Sequence, residues 1–244
     1  MSAMHVVCLP GWGMSSQVFE PIIRHIDRDF ILHFVDWVGI ETLSGFSERV
    51  ITYIATLDAA SVALLGWSLG SIVAVEAALK SSRVDRLLLF GATFSFVDED
   101  KSASIGWPKR VLERMKRQLK IDREETMRNF YKMMFSSQEL DARWLERWMR
   151  EFGDIANIYS IEELLLGLDY LIKMDLSMNL GALRAKIMIV QGAEDKVCPI
   201  GNVQASFDFI SSQKRLVAMP GVGHVPFYTQ STASLQGIWE MLTS

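Results

Sequence analysis

The chain has 244 residues, half of them hydrophobic and 22% charged, with a formal net charge of −4. That composition predicts a well-packed globular core of one large or two small domains, and the acidic balance argues against general nucleic-acid binding. No apolar run approaches the ~20 residues that span a bilayer, and the N-terminus lacks the basic region and long apolar core of a secretion signal.

From the N-terminus, a first strand is predicted at 6–9, running into the glycine-rich turn Pro10-Gly11-Trp12-Gly13. A helical pattern at about 17–26, containing His25, precedes a second strand at 30–35, which carries His33 and is followed by Asp36, read as a loop-structuring carboxylate. A helix at 46–58 leads to a third strand at 62–65, then Gly66-Trp67-Ser68-Leu69-Gly70 and a helix at 69–80. The fourth strand is 87–90. From about 97 to 181 the patterns are helical. Pro108 opens a helix carrying Val111, Leu112, Met115 and Leu119, and Asp122 caps a second with Met127, Phe130, Tyr131 and Met134 on one stripe. Ser136 and Glu139 form a capping box for a third, with Leu140, Trp144, Trp148 and Phe152 along one side, and a fourth covers about 160–174. A fifth strand at 187–190 runs into Gln191-Gly192-Ala193-Glu194-Asp195. A helix at 202–210, a sixth strand at 215–219, the loop Pro220-Gly221-Val222-Gly223-His224 and a helix at 231–242 complete the chain.

Most of the strand candidates are continuous apolar runs, as in strands buried on both faces of a parallel sheet. With helices between them they predict a doubly wound α/β core formed by 1–96 and 182–244, and the helical interval 97–181 is read as a lid inserted after the fourth strand. Cys8 and Cys198 have no metal-ligand spacing and are expected to be buried free thiols in a reducing cytoplasm.

The chemistry centres on Ser68. A G-x-S-x-G between a strand and a helix is the nucleophile-elbow pattern, in which a tight, strained turn and a helix N-terminus present the hydroxyl. A serine nucleophile needs a base, and the base an orienting acid. Of four histidines, His224 alone follows a strand in a glycine-rich loop, where open α/β sheets place their sites. The acid should lie between Ser68 and His224 in the chain, which selects Asp195 in the loop after the fifth strand, with Glu194 as the neighbouring alternative. Two backbone N–H donors must hold the oxyanion. Leu69, directly after the nucleophile, and Trp12, in the loop after the first strand, are assigned to that task.

With these motifs the chain resembles the α/β-hydrolase superfamily over nearly its whole length. More narrowly it resembles the pimeloyl-acyl-carrier-protein methyl ester carboxylesterases of biotin synthesis. The motifs are Gly11-Trp12-Gly13, Gly66-Trp67-Ser68-Leu69-Gly70, Gly167-Leu168-Asp169-Tyr170-Leu171 leading to Met174-Asp175-Leu176, and the loops around Asp195 and His224. Two departures stand out: Pro10 precedes Gly11 where the family has histidine, and the chain starts at the strand leading to the oxyanion loop. About six parallel strands are therefore expected rather than eight. The resemblance implies a cytoplasmic carboxylesterase that forms an acyl-enzyme on Ser68 and needs no metal or cofactor. Its implied substrate is a pimeloyl methyl ester on an acyl carrier protein, held in a dry slot lined by Trp12, Trp67 and lid residues such as Phe130. A monomer is expected. Short-chain esterases, carbon–carbon bond hydrolases and the lyase of menaquinone synthesis share the triad. A lyase for a polyanion would put basic groups inside the slot, whereas a carrier-protein esterase would put them on the outer lid.

The interval from Lys101 to Arg150 holds thirteen basic and seven acidic side chains, a local excess of positive charge in an acidic chain. Arg143, Arg147 and Arg150 follow at helical spacing opposite Trp144 and Trp148. They read either as a dock for an acidic carrier protein or as a solvated face in which Glu139–Arg143 and Glu146–Arg150 pair at i,i+4.

Overall fold

A computed structural model describes residues 3–23, 30–98 and 106–230. The helix expected at 231–242, His25 and Lys101 lie outside the described residues. Six strands, β1 (Met4–Leu9), β2 (Phe30–Phe34), β3 (Val62–Trp67), β4 (Val84–Phe90), β5 (Lys186–Gly192) and β6 (Lys214–Met219), form one sheet. Every neighbouring pair is parallel and the order is β2-β1-β3-β4-β5-β6. The α/β-hydrolase fold with six parallel strands is thus the observed fold. All six residues of the central β3 are buried, which is why its sequence is continuously apolar.

The chain runs outward from β1 to β2 and then returns past β1 to β3. The order of strands therefore reverses between β1 and β3, where a crevice opens at the strand C-termini. Leu9 is paired with Gly66, so the turn after β1 and the turn after β3 lie side by side.

A 3-10 turn, Ser16–Phe19, leads into the short α1 (Glu20–Ile23). Ser16 N–H donates to Asp36 Oδ1 at 2.6 Å, giving Asp36 the loop-structuring part expected of it. Then come α2 (Gly45–Thr56) and α3 (Leu69–Lys80). Between β4 and β5 run α4 (Lys109–Ile121), α5 (Arg123–Met133), α6 (Ser137–Asp141), α7 (Trp144–Phe152) and α8 (Ile161–Lys173), and α9 (Ile200–Phe207) and α10 (Pro226–Thr229) follow later. Asp122 caps α5 through Glu125 N–H, and Ser136 with Glu139 forms the capping box of α6.

The third helix of the β4–β5 segment is not continuous as its periodicity suggests. α6 stops at Asp141, Arg143 takes a left-handed conformation (φ 61°), and α7 starts at Trp144. The two pieces answer to different anchors: Glu139 of α6 is hydrogen-bonded into the loop before α10, while Trp148 of α7 is buried against Tyr131, Phe135 and Tyr228. Further along, α8 is fastened to the core by polar bonds. Tyr170 donates to Glu76 on α3 at 2.7 Å, and Trp12 Nε1 donates to Leu164 O at 2.8 Å.

Candidate active site

Ser68 sits at φ 56°, ψ −121°, a backbone conformation that non-glycine residues adopt only where their surroundings impose it. Gly66 and Gly70 explain how. A Cβ on Gly66 would stand 2.6 Å from Gly70 O, and one on Gly70 would collide with Leu9 O and Pro10 O. The first turn of α3 therefore packs backbone to backbone on the end of β1, and β3 has no room to leave the sheet except by a sharp reversal at Ser68. Ser68 N–H donates to Phe90 O at 3.1 Å, and Ser71 Oγ braces the same turn through Gly66 O and Phe90 O.

His224 is fully buried, and its Nδ1 lies 2.8 Å from Asp195 Oδ2. Asp195 is held on all sides. Its Oδ1 accepts from Val197 N–H and Cys198 N–H, both at 2.8 Å, and its Oδ2 also accepts from Gln191 Nε2 at 3.0 Å. A carboxylate with both oxygens so engaged cannot rotate away from the imidazole. Glu194 takes no part through its side chain; its N–H donates to Val222 O. Gly91 follows the strand residue bonded to Ser68, and a Cβ there would stand 2.7 Å from His224 Nδ1. The imidazole thus packs directly over the end of β4.

Among the described residues no hydrogen bond joins Ser68 to His224. His224 Nε2 is buried and has no partner among the described residues. Burial and the neighbouring Asp195 push the Cys198 thiol well up, and nearby Ser68 works in the opposite direction. Cys8 is also a buried free thiol, pushed up by burial.

The turn after β1 meets this site closely. A Cβ on Gly11 would stand 3.3 Å from Ser68 Cβ. Leu69 opens α3, so its N–H is one of the unpaired donors at the helix N-terminus. Pro10, where the family has histidine, offers its carbonyl to Trp37 Nε1 at 2.9 Å. A narrow cavity of about 30 Å³ touches Ser68 and is walled by Trp12, Phe130, Trp107, Leu168 and Val197, with no charged residue in its lining. Phe130 meets Trp12 edge to face, ring centroids 5.1 Å apart. A wider groove of about 430 Å³ between α4 and α5 shares Trp107, Val111, Met115, Phe130 and Met133 with the cavity.

Trp67 is not in that lining. Its ring stands behind His224 instead, 5.5 Å away and packed on Trp148 and Phe227, and its Nε1 donates to His224 O at 2.9 Å. The cause is the reversal at Ser68, which turns the serine toward the cavity and leaves Trp67 in the core. Arg143, Arg147 and Arg150 are exposed, with Arg147 over the Trp144 ring at 4.8 Å. They do not share one helix face, since Arg143 precedes α7. Glu139 bonds elsewhere than to Arg143, and among the described residues no ion pair joins Glu146 to Arg150.

The parts that two residues play in this neighbourhood do not follow from the sequence. Gln191, wholly buried at the end of β5, links Asp195 to Ala92 N–H and to Cys198 O. Its signal was an amide closing an otherwise apolar strand. Glu139 looked like a helix cap and is also a buried support of the His224 loop.

The pattern of the alpha/beta hydrolase family matches residues 6–234. The pimeloyl-acyl-carrier-protein methyl ester esterase of Pectobacterium carotovorum is 31% identical over 239 residues, 93% of this chain and 90% of that protein. The protein of the same name from Xylella fastidiosa (strain 9a5c) is 26% identical over 246 residues, covering 95% of this chain and 93% of its own. Among solved structures, an esterase from Exiguobacterium antarcticum superposes with a TM-score of 0.88 at 22% identity, covering all of this chain and 93% of that one, which bears on the fold alone. The chain therefore belongs to the alpha/beta hydrolase family, among its ester hydrolases.

Proposed function

We propose that the protein hydrolyses the methyl ester of a pimeloyl chain carried on an acyl carrier protein, through an acyl-enzyme on Ser68. The observation that carries the chemistry is the state of His224. With Asp195 as a carboxylate Nδ1 donates to it, which leaves the buried Nε2, with no partner among the described residues, as the base. Ser68 attacks the ester carbonyl while Nε2 takes its proton. The oxyanion rests on the N–H groups of Trp12 and Leu69, at the positive end of α3. Imidazolium returns the proton to the leaving oxygen and methanol departs. Water, deprotonated by His224, then releases the acid and restores the Ser68 hydroxyl.

The slot supports an acyl substrate over a polyanion, because its lining carries no charge while Arg143, Arg147 and Arg150 lie outside. In this reading residues 97–181 are the lid, and the groove between α4 and α5 is the way in. At about 30 Å³ the inner slot admits an alkyl chain only as Met115 and Met133 swing aside, which their flexible thioethers allow. The kinship with the esterases named above supports the carrier-bound substrate. The exposed arginines would meet the acidic carrier and mainly raise its on-rate.

The test combines two substrates. Ser68→Ala and His224→Ala should each abolish hydrolysis of p-nitrophenyl butyrate by folded protein. Arg143→Glu with Arg147→Glu should lower kcat/KM for the carrier-bound ester, less so at high salt, and spare the small ester. Equal losses on both substrates, or none on either, remove the carrier and leave a general esterase.

A further inference from the structure

Glu139 is 4% exposed, and among the described residues no lysine, arginine or histidine pairs with it. A buried carboxylate without a counter-charge is costly unless hydrogen bonds replace its water. Here three do. Oε2 accepts from Ser136 N–H at 2.8 Å and Gly223 N–H at 2.9 Å, and Oε1 accepts from Thr229 Oγ1 at 2.6 Å. The first is the helix cap. The other two reach into the core and hold both flanks of the stretch that bears His224.

The surrounding bonds have the same direction. Ser136 Oγ donates to Gly221 O and His224 N–H donates to Met134 O, both at 2.7 Å. The approach is so close that a Cβ on Gly223 would meet Met134 O and Glu139 Oε2. The α8 cap offers a contrast: Ser160 and Glu163 form the same capping box, yet Glu163 is half-buried and its further bond goes to Gly39 N–H, away from the histidine.

We infer that Glu139 is a positioning residue for His224, fixing the height of the imidazole over Ser68 from the helical segment between β4 and β5. The inference rests on the reading of Ser68 and His224 given above. Glu139→Ala leaves two N–H groups without that acceptor and the Thr229 hydroxyl with only its long bond to Val225 O. Turnover of p-nitrophenyl butyrate should fall about 10- to 100-fold with KM nearly unchanged, since small misplacements of a reacting group have effects of that order. Labelling of Ser68 by a fluorophosphonate, per folded molecule, should slow in parallel. Glu139→Gln keeps an oxygen for both N–H groups and an amide for Thr229, and should restore kcat to within about threefold. Glu163→Ala, which removes the equivalent cap and a bond to Gly39 N–H away from the histidine, should leave kcat intact.

Should Glu139→Ala not fold, Glu139→Asp retains the charge but draws the oxygens back from Gly223, and its kcat should still drop. Wild-type kcat in Glu139→Ala or Glu139→Asp, or equal losses in Glu139→Ala and Glu163→Ala, overturns the inference and makes Glu139 a cap. Persistence of hydrolysis in Ser68→Ala is a separate outcome that removes the nucleophile reading itself.

Discussion

Gly167→Ala pits two known magnitudes against each other. Gly167 lies within α8, where alanine is favoured over glycine by about 1 kcal/mol in an ordinary helix interior. Its Cβ would, however, stand 2.6 Å from Trp12 Cδ1 and 3.0 Å from Trp12 Nε1, inside any real contact distance. The indole cannot retreat freely. It is 3% exposed, meets Phe130 edge to face and donates to Leu164 O. Overpacking of this kind costs about 1–3 kcal/mol, and a weakened hydrogen bond adds about 0.5–1.5 kcal/mol. The sum exceeds the helix gain, so the variant should be less stable by about 0.5–3.5 kcal/mol, a fall in Tm of about 2–4 °C per kcal/mol for a chain of this size. Activity should suffer further, because Trp12 carries the proposed oxyanion donor, and a cost of about 1.4 kcal/mol there is tenfold in rate. Urea unfolding and kcat/KM on p-nitrophenyl butyrate measure the two effects. A protein stabilised by about 1 kcal/mol with full activity would show that α8 yields to the methyl group and that the Trp12 contact does not constrain the site.

Asp195→Asn should lose most activity while remaining folded, because the amide permits the wrong imidazole tautomer; near-normal turnover would discard Asp195 as the orienting acid. Trp67→Phe keeps the aromatic packing but deletes the N–H that holds His224 O, and kcat should fall about tenfold on the small ester; unchanged kcat would make that bond incidental. Iodoacetamide at mild alkaline pH should leave activity intact, since both thiols are buried and pushed up; rapid inactivation, followed by mass spectrometry of Cys198, would contradict this. His33 is lowered by burial and by the nearby His5, to which its Nε2 is bonded at 3.0 Å. The unfolded chain therefore binds the proton more readily. Stability from this pair should be present above about pH 6.5 and decline as pH falls below it, and His33→Gln should flatten that decline in denaturant titrations.

The four inner strands were legible because burial on both faces leaves an apolar run, and the elbow because its glycines answer a steric demand that Gly66 and Gly70 display directly. The order of Ser68, Asp195 and His224 along the chain, each after a strand, was enough to place them at one edge of the sheet. Other features depend on what comes near in three dimensions. Trp67 looked like slot lining because it adjoins Ser68 in sequence, yet the sharp turn between them sends the two side chains apart. Glu139 matched a surface cap at i,i+4 from Arg143, and nothing in that spacing shows that Gly223 and Thr229 arrive from the far end of the chain. The break at Arg143 has no glycine or proline to mark it; it follows from the separate anchoring of α6 and α7.

A wholly parallel sheet has a consequence for how the molecule is made. No two neighbouring strands can pair by a hairpin, so each joins only after a crossover has been synthesised and packed. At synthesis rates of about 5–20 residues per second, the long helical passage between β4 and β5 occupies several seconds or more. During that time β4 presents Leu87, Leu88, Leu89 and Phe90 along an unpaired edge, beside a Ser68 turn with neither Asp195 nor His224 yet made. The growing polypeptide is thus sticky before it is reactive, and the hazard a nascent chain of this design presents to the cell is aggregation at that edge.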